Sequence, residues 1–262
     1  MKHTDTGTLP SGVLLLATDL VLGYEGRPIA SGLNFTVSEG DYLCIVGENG
    51  SGKSTLVKAI LGLHPPLGGR LERAPALRQE GVGYLPQQTP AQKDFPASVR
   101  EVVLSGCLRR LGWRPFFGRT EKRLANEAMA RLGITPLANR CYRELSGGQQ
   151  QRVLLARAFC AAGRMILLDE PIAGLDPLAM QEMYTLIADM NHPTAARPTA
   201  GRPHLGPGVA VVMLTHDVPA AIRYASHILH MEGQSVFFGT TAEYLKTPQG
   251  MRFAGQGGEV VS

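Results

Sequence analysis

Three short stretches of this sequence combine residue types and spacings that suit phosphate chemistry. The first, residues 47–55, fits the phosphate-loop pattern G-x-x-x-x-G-K-[S/T]. Glycines let backbone N–H groups close around phosphate oxygens, and the start of a helix adds a positive dipole. We expect Lys53 to reach the β- and γ-phosphates of a nucleotide and the Ser54 hydroxyl to bind Mg²⁺. The predicted phosphate-binding residues are Gly47, Glu48, Asn49, Gly50, Ser51, Gly52, Lys53, Ser54 and Thr55.

The second stretch, residues 166–170, is an apolar run that ends in two carboxylates. Asp169 can support Mg²⁺, as the second acidic motif does in phosphate-loop enzymes. Glu170 follows at the predicted strand tip, where it could accept a proton from the attacking water. A strand that merely ends in solvated acidic residues is the alternative. The phosphate loop upstream favours the catalytic interpretation.

The third stretch is Leu-Ser-Gly-Gly-Gln at residues 145–149. Two glycines before a predicted helix leave free N–H groups at a positive helix end, with Ser146 and Gln149 beside them. This predicts a second anion site, although a single bound nucleotide hardly needs two. An ordinary glycine-rich helix start is the alternative.

Hydrophobic periodicity predicts the elements that hold these residues. Strands are expected at 13–24, 34–37, 42–46, 82–85, 165–169, 209–214, 228–231 and 235–238. Helices are expected after the phosphate loop, after Ser98 with Glu101 in a capping box, after Thr120, after Gln149, and over 178–190 and 217–224. Alternating strands and helices predict an α/β core with a mostly parallel sheet. An antiparallel β part is also expected, and the strands at 228–231 and 235–238 should form a hairpin.

We predict one domain over residues 1–262. Its nucleotide-binding core comprises about 13–88 and 162–247, and a helical subdomain of about 89–161 is inserted between them. Residues 192–208 are rich in Pro, Gly, Ala and Arg without periodicity, which predicts a flexible surface loop.

Composition describes a soluble globular protein, since 44% of residues are hydrophobic and 18% are charged. The N-terminal residues do not resemble a signal peptide, and the four cysteines are widely spaced, so we expect a cytoplasmic protein with reduced thiols. The net charge of +4 could favour nucleic acid or an anionic membrane surface. We see no block of five or six like charges, and therefore prefer a mildly basic solvated surface plus phosphate-binding residues.

Residues 145–152 resemble the signature of the nucleotide-binding subunits of ATP-binding-cassette (ABC) transporters. Further motifs of that family follow the expected order, and the resemblance covers residues 13 to about 247. In chain order, the motifs are Tyr24 as the aromatic that stacks on adenine, the phosphate loop, the Q-loop residue Gln87, the signature residues Ser146, Gly147, Gly148 and Gln149, the acids Asp169 and Glu170, the D-loop residue Asp176, and the switch residue His216.

The resemblance implies an ATP hydrolase that works as a homodimer. The signature helix of one copy would close over the γ-phosphate held by the phosphate loop of the other, which explains the second anion site. Glu170, His216 and Gln87 would be catalytic. Asp176 would link the two sites across the dimer, and Ser54, Gln87 and Asp169 would hold Mg²⁺.

Residues 94–103 look most like the subgroup that serves zinc and manganese importers. This implies two integral-membrane permease subunits as partners, an extracytoplasmic metal-binding protein upstream, no nucleic acid, and a location on the inner face of the cell membrane. An importer ATPase for another substrate such as iron chelates, and a soluble cassette ATPase acting on nucleic acid or a protein complex, remain alternatives. A regulatory scaffold that binds nucleotide without hydrolysis is a third, which the intact Glu170 and His216 disfavour.

Overall fold

Two β-sheets and their surrounding helices form the fold. The computed structural model of the chain describes residues 9–87, 94–192, 208–232 and 235–253. The strands are β1 (Val13–Tyr24), β2 (Arg27–Ser38), β3 (Tyr42–Gly47), β4 (Gly68–Arg73), β5 (Val82–Leu85), β6 (Met165–Asp169), β7 (Ala210–Leu214), β8 (His227–Glu232) and β9 (Ser235–Thr240). The helices are α1 (Lys53–Leu61), α2 (Pro75–Glu80), α3 (Val99–Ser105), α4 (Leu108–Leu111), α5 (Arg119–Arg131), α6 (Gly147–Ala161), α7 (Pro177–Asn191), α8 (Val218–Tyr224), α9 (Thr241–Tyr244) and α10 (Pro248–Met251).

The larger sheet has six strands in the order β5-β6-β7-β3-β8-β9. Its first five strands pair in parallel, and β9 pairs antiparallel with β8. All five residues of β7 are buried, which agrees with the continuous apolar run predicted for a strand covered on both faces. The predicted α/β fold class with a mostly parallel sheet is confirmed.

Alternate residues of the parallel strands belong to two different hydrophobic cores, because successive side chains point to opposite faces of a sheet. Cys44 and Ile166 face a core shared with α3, α5, α6 and α7. Ile45 and Leu167 face a core shared with α1 and the smaller sheet. The parallel sheet therefore fixes the relative positions of the helical region and of α1.

The smaller sheet is antiparallel, with the order β2-β1-β4. An antiparallel part was predicted, but the extent of this sheet was not. Strand β2 is longer than the predicted 34–37, and β4 and α2 were missed. Their sequences lack a clear alternation: the residues of β4 are mostly half-buried because they pair along the edge of β1 rather than forming a core of their own.

Helices α3, α4, α5 and α6 form the helical region. The capping box predicted at the start of α3 is present: Ser98 Oγ accepts from the backbone N–H of Glu101, and Glu101 Oε2 accepts from that of Ser98. The cap predicted at Thr120 is wrong, because α5 begins at Arg119, two residues earlier than a cap at Thr120 requires. Its N-cap is Gly118, whose backbone N–H donates to Glu121 Oε2 at 2.7 Å.

The ends of the predicted 192–208 loop lie at the amino-terminal edge of the parallel sheet. Residues 193–207 are outside the described part of the chain, so the flexibility predicted for them stays a prediction. The buried Asn191 donates through Nδ2 to the carbonyl oxygens of Gly40, Asp41 and Val209 at 3.0, 3.1 and 3.1 Å. This side chain fixes the base of the segment to the turn before β3.

Within the described residues, no helix is both long and apolar enough to cross a lipid bilayer. The predicted division into core and helical subdomain stays a prediction, and its boundary at 88 and 89 falls in 88–93, outside the described residues.

Candidate active site

The carboxyl edge of four neighbouring parallel strands brings most of the predicted catalytic residues together. Strands β5, β6, β7 and β3 are adjacent in that order, and parallel strands end at the same edge. Gln87 follows β5, Asp169 ends β6, His216 follows β7, and the phosphate loop follows β3. Sheet order thus unites residues that are far apart in sequence.

Glu170 is the centre of a hydrogen-bonded group at this edge. His216 Nε2 lies 2.5 Å from Glu170 Oε1, and Gln87 Nε2 donates to Glu170 Oε2 at 2.8 Å. The backbone of Glu170 adopts a left-handed φ of 49°, which is uncommon for a residue with a side chain, and its N–H donates to Leu214 O. Backbone strain of this kind is concentrated at functional sites.

Lys53 is folded back onto the phosphate loop. It is the first residue of α1, and its Nζ donates to the carbonyl oxygens of Gly47 and Glu48, each at 2.7 Å. Burial lowers the pKa of Lys53, while the nearby Glu170 and Asp169 carboxylates act in the opposite direction. The ammonium group is therefore held among carbonyl oxygens that a phosphate could replace.

The loop itself has the features of an anion cradle. Gly52, the N-cap of α1, has a left-handed φ of 96°, and a Cβ at Gly47 would lie 2.0 Å from the carbonyl oxygen of Met231 in β8. Ser51 Oγ is buried without a hydrogen-bond partner among the described residues. An unpaired buried hydroxyl is costly, so a ligand oxygen at this point would satisfy it.

Asp169 lies beside this group in a partly desolvated position. Burial raises the pKa of its carboxyl and the Glu170 charge adds to the effect, whereas a hydrogen bond with Tyr84 and the charge of Lys53 act against it. Tyr84 was missed as a site residue. Its place on β5, three residues before Gln87, is the signal that could have identified it, because β5 pairs directly with β6.

Tyr24, at the end of β1, lies beside the first two turns of α1 rather than in the core. Its ring centroid is 4.5 Å from that of His64, and its hydroxyl accepts from Lys58 Nζ at 3.1 Å. The hydrogen bonds of the Tyr24 hydroxyl with Lys58 and with Thr55 lower its pKa. The side chain remains 39% exposed, which leaves part of its ring available for stacking.

The signature residues form a second site. Ser146 caps α6: its Oγ accepts from the Gln149 backbone N–H at 3.4 Å, and Gln149 Oε1 accepts from the Ser146 backbone N–H at 3.1 Å. They line a cavity of about 440 Å³ together with Gly147, Gly148 and Asp176. Asp176 caps α7 by accepting from the Ala179 backbone N–H at 3.0 Å.

The two sites are separate in one copy of the chain, since none of the residues that line this cavity belongs to the phosphate loop. Side-chain contacts of α6 nevertheless link the two sites. Gln151 Nε2 donates to the carbonyl oxygen of Pro171, which is the residue after Glu170, at 2.6 Å. Arg152 of α6 pairs with Glu182 of α7. Sequence reasoning missed both links because neither pair has a characteristic spacing.

Comparison with known proteins decides the family. Residues 30–173 match the family described as ABC transporter. The chain belongs to the ABC transporter family. It has the ATP-binding domain of that family and is an ABC-type ATP hydrolase, which confirms the resemblance inferred from the signature and phosphate-loop motifs. No group of three or more His, Cys, Asp or Glu side chains suited to a metal ion occurs among the residues for which the structure gives positions.

Individual ABC proteins resemble the chain over most of its length. A zinc transport system ATP-binding protein of Treponema pallidum is 33% identical over 244 residues, which are 90% of this chain and 86% of that protein. A manganese transport system ATP-binding protein of Bacillus subtilis is 33% identical over 226 residues, or 85% of each chain. A solved structure described as an inward-facing metal-chelate type ABC transporter superposes with a TM-score of 0.76 at 29% identity, covering 91% of this chain and 87% of that one.

Proposed function

We propose that this ABC ATPase hydrolyses ATP with Glu170 as the general base and powers a metal-ion importer. The observation that supports the catalytic assignment most directly is the contact of Glu170 with both His216 and Gln87 beside the phosphate loop. A carboxylate held on two sides can be aimed at one water molecule, and proton removal from that water would accompany its attack on the γ-phosphate.

The phosphate loop would bind the β- and γ-phosphates. Lys53 Nζ would exchange the carbonyl oxygens of Gly47 and Glu48 for phosphate oxygens, and Ser51 Oγ would gain a partner. His216 would hold the γ-phosphate in line with the attacking water, and Tyr24 would stack on adenine. The negative charge that develops during phosphoryl transfer would then meet fixed positive groups.

The donor set fits Mg²⁺, a hard cation that prefers oxygen ligands and is usually bound through one or two carboxylates. Ser54, Gln87 and Asp169 supply a hydroxyl, an amide oxygen and a carboxylate beside the loop. When bound, the ion would neutralise charge on the phosphates.

Two copies of the chain would complete each catalytic site. The signature residues of one copy would cover the phosphate loop of the other, with Asp176 at the junction. Two observations support this arrangement. Ser146 and Gly147 are exposed at the N-terminus of α6, where an anion can bind. The described residues that line the cavity at this helix end do not include the phosphate loop of the same copy. ATP would thus form part of the dimer interface.

The partners we propose are two integral-membrane permease subunits, with an extracytoplasmic metal-binding protein delivering the ion to them. The chain would lie in the cytoplasm, on the inner face of the cell membrane. The relatives named as zinc and manganese transport ATP-binding proteins support zinc or manganese as the transported ion. The similarity to a metal-chelate type transporter favours a chelated metal as the second candidate.

Replacing Glu170 by Gln tests the catalytic assignment. We expect Glu170→Gln to bind ATP and accumulate as an ATP-dependent dimer, while phosphate release falls by about 10²–10⁴-fold. Glu72→Gln in β4, away from this edge, is the control and should hydrolyse ATP normally. Full phosphate release by Glu170→Gln would remove Glu170 as the base.

Metal uptake tests the transport assignment. Cells that lack this chain should lose uptake of radiolabelled zinc or manganese, and the wild-type chain should restore it where Glu170→Gln does not. If uptake of a metal chelate is lost instead, the second candidate is correct. If neither changes, the importer assignment fails even though ATP hydrolysis stands.

A further inference from the structure

The positive charge of the chain is concentrated in one segment, which we call the basic-aromatic segment (residues 107–123). It has six basic residues, Arg109, Arg110, Arg114, Arg119, Lys122 and Arg123, and one acidic residue, Glu121. Its net charge of +5 exceeds the +4 of the whole chain, so the remaining residues sum to −1. The net positive charge of the chain therefore comes from this segment.

Large apolar side chains are exposed in the same segment. Trp113, the only tryptophan of the chain, is fully exposed, and Phe116 and Leu108 are 81% and 58% exposed. Gly112 has a left-handed φ of 54° and Pro115 follows two residues after Trp113, which keeps this stretch out of α4 and α5. Exposed aromatic groups among basic ones are unusual for a surface that meets only water.

The segment lies away from the proposed ATP site. Arg109 Nη2 donates to the carbonyl oxygen of Arg78 in α2, and Arg110 Nη2 donates to that of Ala162 after α6. Both acceptors precede parallel strands, β5 and β6, whose opposite ends carry Gln87 and Asp169. The guanidinium groups of Arg109 and Arg110 therefore lie at the edge of the sheet opposite the proposed ATP site.

Nearby acidic groups neutralise only part of this charge. The buried Glu121 pairs with Arg114 at 2.8 Å, and Glu127 lies 3.7 Å from Arg123. We propose that the basic-aromatic segment binds an anionic lipid bilayer surface, with Trp113 and Phe116 at the headgroup level and Arg119 and Lys122 against acidic headgroups.

Two observations favour a bilayer over a peptide segment of a protein partner. A helical peptide is usually bound in an apolar groove, whereas Trp113 projects fully from the surface. Tryptophan combined with Lys and Arg is the composition that prefers the membrane–water interface. The proposal rests on the proposed function only because that function places the chain at a membrane. The charge and the exposed aromatic groups of the segment do not depend on it.

Vesicle binding by the full-length chain tests the proposal. Because Trp113 is the only tryptophan, its fluorescence reports on the segment directly. Adding vesicles of phosphatidylcholine mixed with phosphatidylglycerol should shift its emission to the blue and sediment the protein, and pure phosphatidylcholine should do so much less. Raising the salt concentration should weaken binding, because it screens the charges.

Variants define the contribution of each group. Arg119→Gln with Lys122→Gln should weaken binding to the anionic vesicles by about 25-fold, at about fivefold for each basic group near a charged bilayer. Trp113→Ala, followed by sedimentation, should weaken it by about tenfold. The matched controls are Arg70→Gln with Lys246→Gln, and Leu63→Ala, which change exposed residues elsewhere.

ATP hydrolysis by all of these variants should equal that of the wild type, which separates this proposal from the catalytic one. Equal binding to neutral and anionic vesicles would overturn the proposal of a bilayer-binding segment. It would also be overturned if the variants and their controls lost vesicle binding to the same extent. If the variants bind vesicles normally but no longer co-purify with membrane subunits in detergent, the segment binds a protein instead and the proposal is wrong.

Discussion

The two glycine-rich helix starts of this molecule, at α1 and α6, differ in whether their polar groups are satisfied within one chain. At α1 the N-cap is a left-handed glycine without a side-chain cap, and Lys53 is buried. Within the part of the chain that the structure describes, Ser51 Oγ has no hydrogen-bond partner. At α6 the cap residues Ser146 and Gln149 satisfy each other, and Ser146 is exposed. The helix start at α1 therefore has a buried polar group that a ligand could satisfy. The helix start at α6 is already capped by its own side chains and is exposed, so it can contact another molecule.

This difference predicts two classes of variant. Changes at the start of α1 should alter ATP binding by a single copy. Changes at the start of α6 should leave ATP binding by a single copy intact and weaken the ATP-dependent association of two copies. The predictions below test this distinction, beginning with the largest effect.

Lys53→Ala should have the largest effect. It removes the ammonium group that lies among the loop carbonyl oxygens. We expect turnover to fall by about 10²–10³-fold, the cost of removing one charge-stabilising donor, and ATP binding to weaken as well. Phosphate release and titration with a fluorescent ATP analogue measure the two effects. Normal ATP affinity in Lys53→Ala would contradict the assignment of residues 47–55 as the phosphate-binding loop. The control is Lys246→Ala, which changes an exposed lysine.

Alanine at one glycine of each helix start gives a direct contrast. Gly52 has a φ of 96° and its Cβ would meet Ala30 Cβ at 3.3 Å, so Gly52→Ala should destabilise the fold by about 1–2 kcal/mol. A Cβ at Gly147 would meet no atom of the described residues within 4 Å, so Gly147→Ala should leave stability unchanged or slightly higher. It should still weaken ATP-dependent dimerisation.

Thermal unfolding and sedimentation with ATP measure these two outcomes. Equal destabilisation by both alanines would remove the distinction between the two helix starts. Normal dimerisation of Gly147→Ala would show that the signature surface does not approach a partner copy.

Ser146→Ala should have a smaller effect on folding. It removes a cap whose Oγ accepts from the Gln149 backbone N–H, which costs about 1 kcal/mol. Thr120→Ala is the matched control, because Thr120 is exposed within α5 and should cost less than about 0.5 kcal/mol. Chemical denaturation measures both. ATP binding by the single copy should be unchanged in Ser146→Ala, and a loss there would contradict the separation of the two sites.

The smallest predicted effect concerns pH and the strand behind the phosphate loop. His230 of β8 is opposite Val46 of β3, and burial lowers its pKa. Since the folded pKa lies below the unfolded value of about 6.5, the unfolded state binds more protons, and stability should fall as the pH drops below about 6.5. His230→Gln should flatten this dependence in melting curves recorded over that range. An unchanged slope would exclude His230 as its source.

Sequence patterns predicted the elements that are buried on both faces. The strands around 42–46, 165–169 and 209–214 are present as expected, because a continuous apolar run between turn residues has few other stable conformations. Strand β4 and helix α2 were missed, since their stability depends on pairing with β1 and on packing rather than on their own pattern.

The site was predicted as a set of motifs rather than as an arrangement. The acidic motif identified Glu170 and the family resemblance identified Gln87 and His216, but only the strand order explains why the three residues meet. Tyr84 and the Gln151–Pro171 contact were not predictable, because they depend on which strand lies beside β6 and on how α6 packs. The roles of these residues in catalysis stay predictions until the variants are measured.

The contacts of Asn191 have a practical consequence. Its amide reaches Val209 O, and a Cβ at Gly208 would lie only 1.3 Å from the carbonyl oxygen of Asn191. Asn191 and Gly208 therefore lie side by side at the amino-terminal edge of the parallel sheet, opposite the edge that carries Glu170. An epitope or a fluorescent protein could be inserted between 192 and 208, or new termini opened there, with the ATPase machinery undisturbed.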